Sequence, residues 1–131
     1  MVKEVRWRYV IFHVHSPLSL KPEDLRVALK KHMRVLLGTY GLSKNPFKIM
    51  AYDEENKLGI LKCAHESLEV IRAALALLSM INGEPSAIHV MKVSGTYKKA
   101  KLRVARLAEK LKSHWAELEA GMKKPSQATE A

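Results

Sequence analysis

The residues with the clearest chemical potential form a basic cluster that begins where an apolar run ends. Val93 to Thr96 closes that run, and residues 92–112 carry eight basic side chains and one acidic side chain, Glu109. A helix starting here would present backbone N–H groups and the positive end of its dipole, where cations are disfavoured. Such a placement of basic residues indicates a polyanion partner. We predict contacts with nucleic-acid phosphate from Lys92, Gly95, Thr96, Lys98, Lys99, Lys101, Arg103 and Arg106.

The net charge of the 131-residue chain is +10, and it is unevenly distributed. Residues 92–112 carry +7 and residues 1–34 carry +5, whereas residues 35–91 and 113–131 each carry −1. A surface that serves only solubility mixes both signs, so this clustering favours nucleic acid as the partner. Additional RNA contacts are predicted from basic residues of the first segment, namely Arg8, Lys30, Lys31 and Arg34.

Length and composition predict one small domain. With 47% apolar residues the chain can form a single core, which we place in residues 1–120, with a flexible tail over 121–131. No apolar run approaches the roughly 18 residues that span a bilayer, and no apolar signal segment follows the basic start. The single cysteine, Cys63, fits a reducing compartment. We expect a soluble cytoplasmic protein that does not contact membranes.

Other side chains that could carry chemistry are better explained without a catalytic role. His13, His15 and His89 would lie near one another on neighbouring strands, but a zinc site needs three or four ligands with supporting partners. Half-exposed strand residues or RNA contacts explain these histidines better. Cys63 has no charge cluster beside it that would lower its pKa, and phosphate loops and nucleophile elbows are absent from the sequence. We expect no catalytic residue, no bound metal and no cofactor in this chain.

The periodicities along the chain alternate between those of strands and helices. A first strand is predicted over Arg8–His15, with Val10, Phe12 and Val14 on one face and Tyr9, Ile11, His13 and His15 on the other. A helix is predicted from Pro22 to an end near Gly38 and Gly41, followed by a hairpin of Phe47–Tyr52 and Leu58–Cys63 in which Phe47, Ile49 and Ala51 share one face. A second helix, Glu66–Ile81, is capped by Asn82-Gly83, and a strand follows over Ala87–Val93. The last predicted helix is Tyr97–Ala120, and its inward side chains are Val104, Leu107, Ala108, Leu111, Trp115 and Leu118.

This order predicts an α/β fold of the split β-α-β type, a ferredoxin-like or RNA-recognition-motif-like sandwich. Its four-stranded antiparallel sheet would carry two helices on one face, and a C-terminal helix is added. RNA-recognition motifs stack bases on aromatic residues of their two central strands. Here Leu58–Cys63 contains no aromatic residue, so base stacking on the sheet is not expected. The C-terminal helix or another protein should cover its apolar outer face.

Four segments in the right order resemble a known family. Arg8–Phe12, Gly59–Cys63, Leu75–Gly83 and Val93–Thr96 with the basic residues that follow are similar to ribonuclease P protein component 2, the archaeal relative of a eukaryotic ribonuclease P and MRP subunit. The resemblance covers about residues 6–112. The chain departs from the family by a short N-terminal arm and a C-terminal extension.

The resemblance implies a protein subunit of the ribonucleoprotein endonuclease that removes 5′ leaders from precursor tRNA. In that family the RNA performs the Mg²⁺-dependent hydrolysis, so this chain would belong to a tRNA-processing nuclease without supplying its catalytic groups. The family implies three partners: the ribonuclease P RNA, whose catalytic domain it stabilises, protein component 3, and a second copy of the same chain within a heterotetramer. Precursor tRNA would be an indirect partner.

Apolar residues beyond the needs of one core indicate where protein partners would bind. The predicted helix Glu66–Ile81 is apolar around much of its circumference, and Ile11 lies on the outer sheet face. We predict a protein interface from Ile11, Val70, Ala73, Ala74 and Leu77. Two rival functions remain: a free-standing RNA-binding domain without partner proteins, and a small-molecule-binding or metal-dependent enzyme on the same sandwich.

Overall fold

The computed structural model describes residues 5–17 and 19–130, with the side chains of the last helix described through His114 and at Glu117. The main strands are β1 (Trp7–His15), β2 (Phe47–Asp53), β3 (Leu58–Ala64) and β6 (Ala87–Ser94), and a two-stranded hairpin is formed by β4 (Met80–Ile81) and β5 (Glu84–Pro85). The helices are α1 (Pro22–Lys44), α2 (Leu68–Ala76), which follows a 3-10 turn over His65–Ser67, and α3 (Tyr97–Glu130).

The four long strands form one antiparallel sheet in the order β2-β3-β1-β6. The strands β1 and β3 lie at its centre, with Ile11 opposite Ile60 and Phe12 opposite Gly59. A Cβ atom on Gly59 would overlap the Phe12 ring, so the ring itself requires glycine at this position. The predicted split β-α-β sandwich with an added C-terminal helix is confirmed.

One face of the sheet packs against α1 and α2. Val10, Phe12 and Val14 project into this main core, as their alternation predicts. Buried side chains of both helices complete it, namely Leu25, Leu29, Met33, Ile71, Ala74 and Leu75. The helix α1 begins with Pro22 and has Glu23 and Asp24 in its first turn, where acidic side chains interact favourably with the dipole.

The opposite face of the sheet is covered by α3. Ile11, Ile60 and Ala100 are buried between the sheet and this helix, and the surrounding apolar side chains are Tyr9, Met50, Tyr97, Val104 and Leu107. Of the two covers expected from the sequence, the C-terminal helix is therefore the one observed. The inward direction predicted for Trp115 and Leu118 falls on side chains outside the described part of the chain.

Three predictions about helix ends are wrong. Gly38 has φ 70° and ψ 176°, which breaks α1, but the helix resumes and continues to Lys44. The second helix ends at Ala76, and Asn82 (φ 49°) and Gly83 (φ 80°) form the turn of the β4–β5 hairpin instead of a helix cap. Two successive residues with positive φ are what a tight two-residue hairpin turn requires. The last helix continues through Glu130, although the sequence predicts an end near residue 120.

The predicted face of Ala51 is also wrong. The pairing of β2 with β3 shifts by one residue between Ile49 and Ala51, so that Met50 is an extra residue on β2. Ile49 remains in the main core, whereas Ala51 lies opposite Ile60, whose side chain faces α3. A bulge of this kind reverses the faces that a strict two-residue period would assign.

Candidate nucleic-acid interface

The first turn of α3 is held by its own side chains. The Lys99 N–H donates to Thr96 Oγ1 at 3.2 Å, and the Thr96 N–H donates to Ser94 Oγ at 3.4 Å. Two of the amides around Gly95 and Thr96 that the sequence pattern assigns to phosphate therefore already have partners within the chain. A Cβ atom on Gly95 would meet nothing within 4 Å, so packing within the chain does not require glycine there.

Four basic residues converge on a cleft between the outer strand β6 and the helix α3. Lys92 comes from β6, directly opposite Ile11, and Arg103, Arg106 and Lys110 come from α3. Their spacing of three and four residues places them on one side of the helix. The cleft has a volume of about 610 Å³, and its other lining residues are Met91, Leu107, Glu109, Ser113, His114 and Glu117. We call this cleft the β6–α3 groove.

The cations of the β6–α3 groove have no ion-pair partner among the side chains that the structure describes. Among residues with described side chains, the one ion pair within 4 Å joins Lys112 to Glu55 at 3.9 Å, on the opposite side of α3. Both partners of that pair are well exposed, so it contributes little to stability. Guanidinium groups bind the oxygens of phosphate through paired N–H donors. The groove is therefore suited to bind a polyanion.

The structure separates the predicted basic cluster into two sides of α3. Lys92, Arg103 and Arg106 meet in the groove, together with Lys110, which was not among the residues predicted from the sequence. Lys101 lies on the other side, where its Nζ is 4.7 Å from the centroid of the Tyr97 ring. Lys98 and Lys99 are exposed on the first turn, and the groove lining does not include them.

The additional basic positions lie away from the groove. Lys30 lines a second cleft of about 600 Å³ between α1 and β2, together with Arg26, Lys48 and several apolar residues. Lys31 and Arg34 are exposed on α1, across the sheet from α3. Arg8 is half-buried and donates from Nη1 to the Trp7 carbonyl at 2.9 Å. RNA contact at these four positions stays a prediction.

The histidine cluster forms, but as hydrogen-bonded imidazoles. His13 Nδ1 and His15 Nε2 are 3.2 Å apart, and the ring of His89 lies 6.4 Å from that of His15. Burial lowers the pKa of His13, and the nearby His15 and Lys57 lower it further. Among the described residues, no group of three or more His, Cys, Asp or Glu side chains is placed to hold a metal ion.

Cys63 is buried, and burial raises the pKa of its thiol. A thiol in this environment is a poor nucleophile because it stays protonated. No helix in the described part of the chain has the length and hydropathy needed to cross a membrane.

The predicted protein interface requires correction at two positions. Ile11 is fully buried under α3, and Ala74 is buried in the main core, so neither side chain is accessible to a partner. Leu77, just past the end of α2, is 65% exposed, Ala73 is exposed, and Val70 is half-buried. A protein interface at these three positions, on the outer side of α2, stays a prediction.

Most of this chain is similar in sequence to one known protein family. Residues 8–105 match the sequence profile of the Rpp14/Pop5 family. The chain belongs to the Rpp14/Pop5 family. The matched region includes Lys92 and Arg103 and ends within α3, so Arg106 and Lys110 lie just beyond it. The resemblance derived from the four sequence segments is thereby confirmed.

Relatives of this Rpp14/Pop5 chain carry the name ribonuclease P protein component 2. The Methanosarcina barkeri protein is 32% identical over 93 residues, which are 71% of this chain and 67% of that protein. The Pyrococcus horikoshii protein is 31% identical over 94 residues, 72% of this chain and 78% of that protein. A chain in the cryo-EM structure of yeast ribonuclease MRP shares the fold, with a TM-score of 0.60 and 12% identity over 88% of this chain and 98% of that one.

Proposed function

We propose that this Rpp14/Pop5 chain is a protein subunit of ribonuclease P that binds the phosphate backbone of the enzyme's RNA through the β6–α3 groove. The observation that carries the proposal is the convergence of Lys92, Arg103, Arg106 and Lys110 on one cleft, without a carboxylate within 4 Å among the described side chains. The groove is open to solvent, and its four cationic side chains outnumber its two acidic lining residues, Glu109 and Glu117. Such a surface recognises backbone charge and shape, which positions RNA without reading its sequence.

In this proposal the chain contributes binding and the RNA contributes catalysis. Burial raises the pKa of the Cys63 thiol, which makes this side chain a poor nucleophile. The Mg²⁺ needed for phosphodiester hydrolysis would be held by the RNA, and precursor tRNA would be cleaved by the assembled particle in the cytoplasm.

Protein partners are proposed for the outer side of α2. Leu77 and Met80 are 65% and 57% exposed and lie three residues apart. Apolar side chains of this size gain stability when a partner removes them from water. We propose that this surface binds ribonuclease P protein component 3 or a second copy of the chain.

The salt dependence of RNA binding tests the groove. Each phosphate that the protein no longer neutralises should reduce the slope of log affinity against log salt by roughly 0.7–0.9. Replacement of Lys92, Arg103 and Arg106 by alanine in one variant should therefore lower the slope by about two to three. The measurement is fluorescence anisotropy of a labelled ribonuclease P RNA fragment over a range of salt concentrations.

A charge-matched variant separates specific contacts from net charge. Lys21, Lys44 and Arg72 are exposed positions outside the groove, and their triple alanine variant removes the same number of positive charges. We expect this control to retain nearly the whole slope. Equal reductions of the slope in the two variants would show that net charge, and not the β6–α3 groove, governs binding.

A further inference from the structure

An exposed tryptophan stands at the start of the central strand β1. Trp7 is 41% exposed, although tryptophan gains more from burial than smaller apolar residues do. The Nζ of Lys62 lies 4.4 Å from the centroid of its ring. Trp7 precedes the region that matches the family profile, which begins at residue 8.

A second lysine is held beside the first by the pairing of the strands. Lys48 of β2 lies directly opposite Lys62 of β3, and like charges at directly opposed positions destabilise a sheet. Neither lysine has a carboxylate within 4 Å among the side chains that the structure describes. The unfavourable pair would be relieved by an anion bound between or beside the two ammonium groups.

The ring and the two lysines border a common cleft. This cleft, of about 180 Å³, is lined by Trp7, Pro46, Phe47, Lys48 and Lys62. It therefore combines a flat aromatic surface with two cations that no described carboxylate neutralises. Base stacking on aromatic rings together with lysine contacts to the backbone is how proteins bind single-stranded nucleic acid.

We propose that Trp7, Lys48 and Lys62 bind an unpaired RNA nucleotide, with its base stacked on the indole and its phosphate between the two ammonium groups. This inference rests on the proposed RNA-binding function, but it adds recognition of a base to recognition of the backbone. It differs from the sequence-based expectation that the sheet does not stack bases. That expectation considered the outward residues of the two central strands without Trp7.

Tryptophan fluorescence tests the proposal directly. The chain has two tryptophans, Trp7 and Trp115, so Trp115→Phe in the full-length protein leaves the emission of Trp7 alone. Titration with hexauridylate should quench this emission in a saturable manner. An abasic hexamer with the same number of phosphates should leave it nearly unchanged, because the stacking partner is missing.

Affinity measurements with matched variants provide the second readout. Trp7→Ala should weaken hexauridylate binding roughly 5- to 150-fold, the range expected for one stacked base, and Trp7→Phe should weaken it less. Tyr40→Ala is the control, because Tyr40 is a 72% exposed ring with Lys44 Nζ 4.7 Å from its centroid, but both residues belong to α1. We expect the control to bind as tightly as the parent protein.

The outcomes separate this proposal from the proposed function. If the Trp115→Phe protein binds hexauridylate with full affinity but its Trp7 emission is not quenched, base stacking is overturned. Equal quenching by the abasic hexamer would overturn it as well, and either result would leave backbone binding by the groove intact. Failure of the unaltered protein to bind any RNA would overturn both. A change in mass by light scattering on Trp7→Ala, with unchanged hexauridylate affinity, would show that Trp7 contacts protein and would overturn the nucleotide site.

Discussion

Two neighbouring residues of β3 allow the docking of α3 to be tested separately from the main core. Ile60 is 2% exposed and packs beneath α3, whereas Leu61 is fully buried against α1 and α2. Truncation of a buried Ile or Leu to alanine costs about 2–5 kcal/mol. We expect Ile60→Ala and Leu61→Ala to destabilise the domain by similar amounts, because both side chains are removed from well-packed surroundings on the same strand.

The two variants should differ in the part of the domain that they destabilise locally: Ile60→Ala should favour undocking of α3, whereas Leu61→Ala should affect the main core. A destabilisation of about 2–5 kcal/mol at Ile60 would shift the equilibrium between docked and undocked α3 by roughly 30-fold to several thousandfold. Most helical stability in proteins comes from tertiary packing, so the amides of an undocked α3 would exchange hydrogen faster. Arg103 and Arg106 would also leave the strand that carries Lys92, and the β6–α3 groove would no longer exist.

The assays are urea unfolding for global stability, hydrogen exchange for α3, and anisotropy for RNA affinity. Ile60→Ala should accelerate exchange in α3 and weaken RNA binding, whereas Leu61→Ala should weaken RNA binding much less under conditions where the domain is folded. Equal effects of the two variants on α3 exchange and on RNA affinity would refute the idea that α3 docking creates the groove.

Three further predictions concern packing, assembly and pH. Gly59→Ala should destabilise the domain by about 1–3 kcal/mol or more in urea unfolding, because the new methyl group overlaps the Phe12 ring; unchanged stability would contradict that contact. Leu77→Asp should reduce the mass of any complex with component 3 by light scattering while the domain stays folded, whereas Ile11→Asp should unfold it, since Ile11 is fully buried. Burial lowers the pKa of His13, so its contribution to stability should be present above the unfolded value of about 6.5 and be lost as the pH falls below it; an NMR titration with a midpoint at or above 6.5 would contradict this.

Much of the fold could be predicted because local periodicity and global packing agree. The alternation of Val10, Phe12 and Val14 fixes the core face of β1, and every long strand begins within one residue of its predicted start. The failures arise where non-local pairing decides. Ala51 changes face because the pairing of β2 with β3 includes one extra residue, and a single strand carries no signal for this.

The candidate sites were predictable only to the extent that sequence neighbours become spatial neighbours. Arg103 and Arg106 lie one turn apart, so their common direction follows from helical spacing. Lys62 reaches Trp7 from another strand and lies opposite Lys48, and these proximities depend on strand order and register. An apolar outer sheet face does not reveal which element will cover it, so the sequence alone places Ile11 at an interface.

The two irregularities in strand pairing both fall on the outermost strands of the sheet. Met50 is the extra residue on β2, and Met91 is the extra residue on β6, where the register shifts against Ile11 and Phe12. An outermost strand exposes backbone groups that can recruit a strand from another molecule, and bulges disturb the flat edge that such recruitment needs. The irregular pairing at β2 and β6 therefore opposes the addition of a further strand at either edge of the sheet.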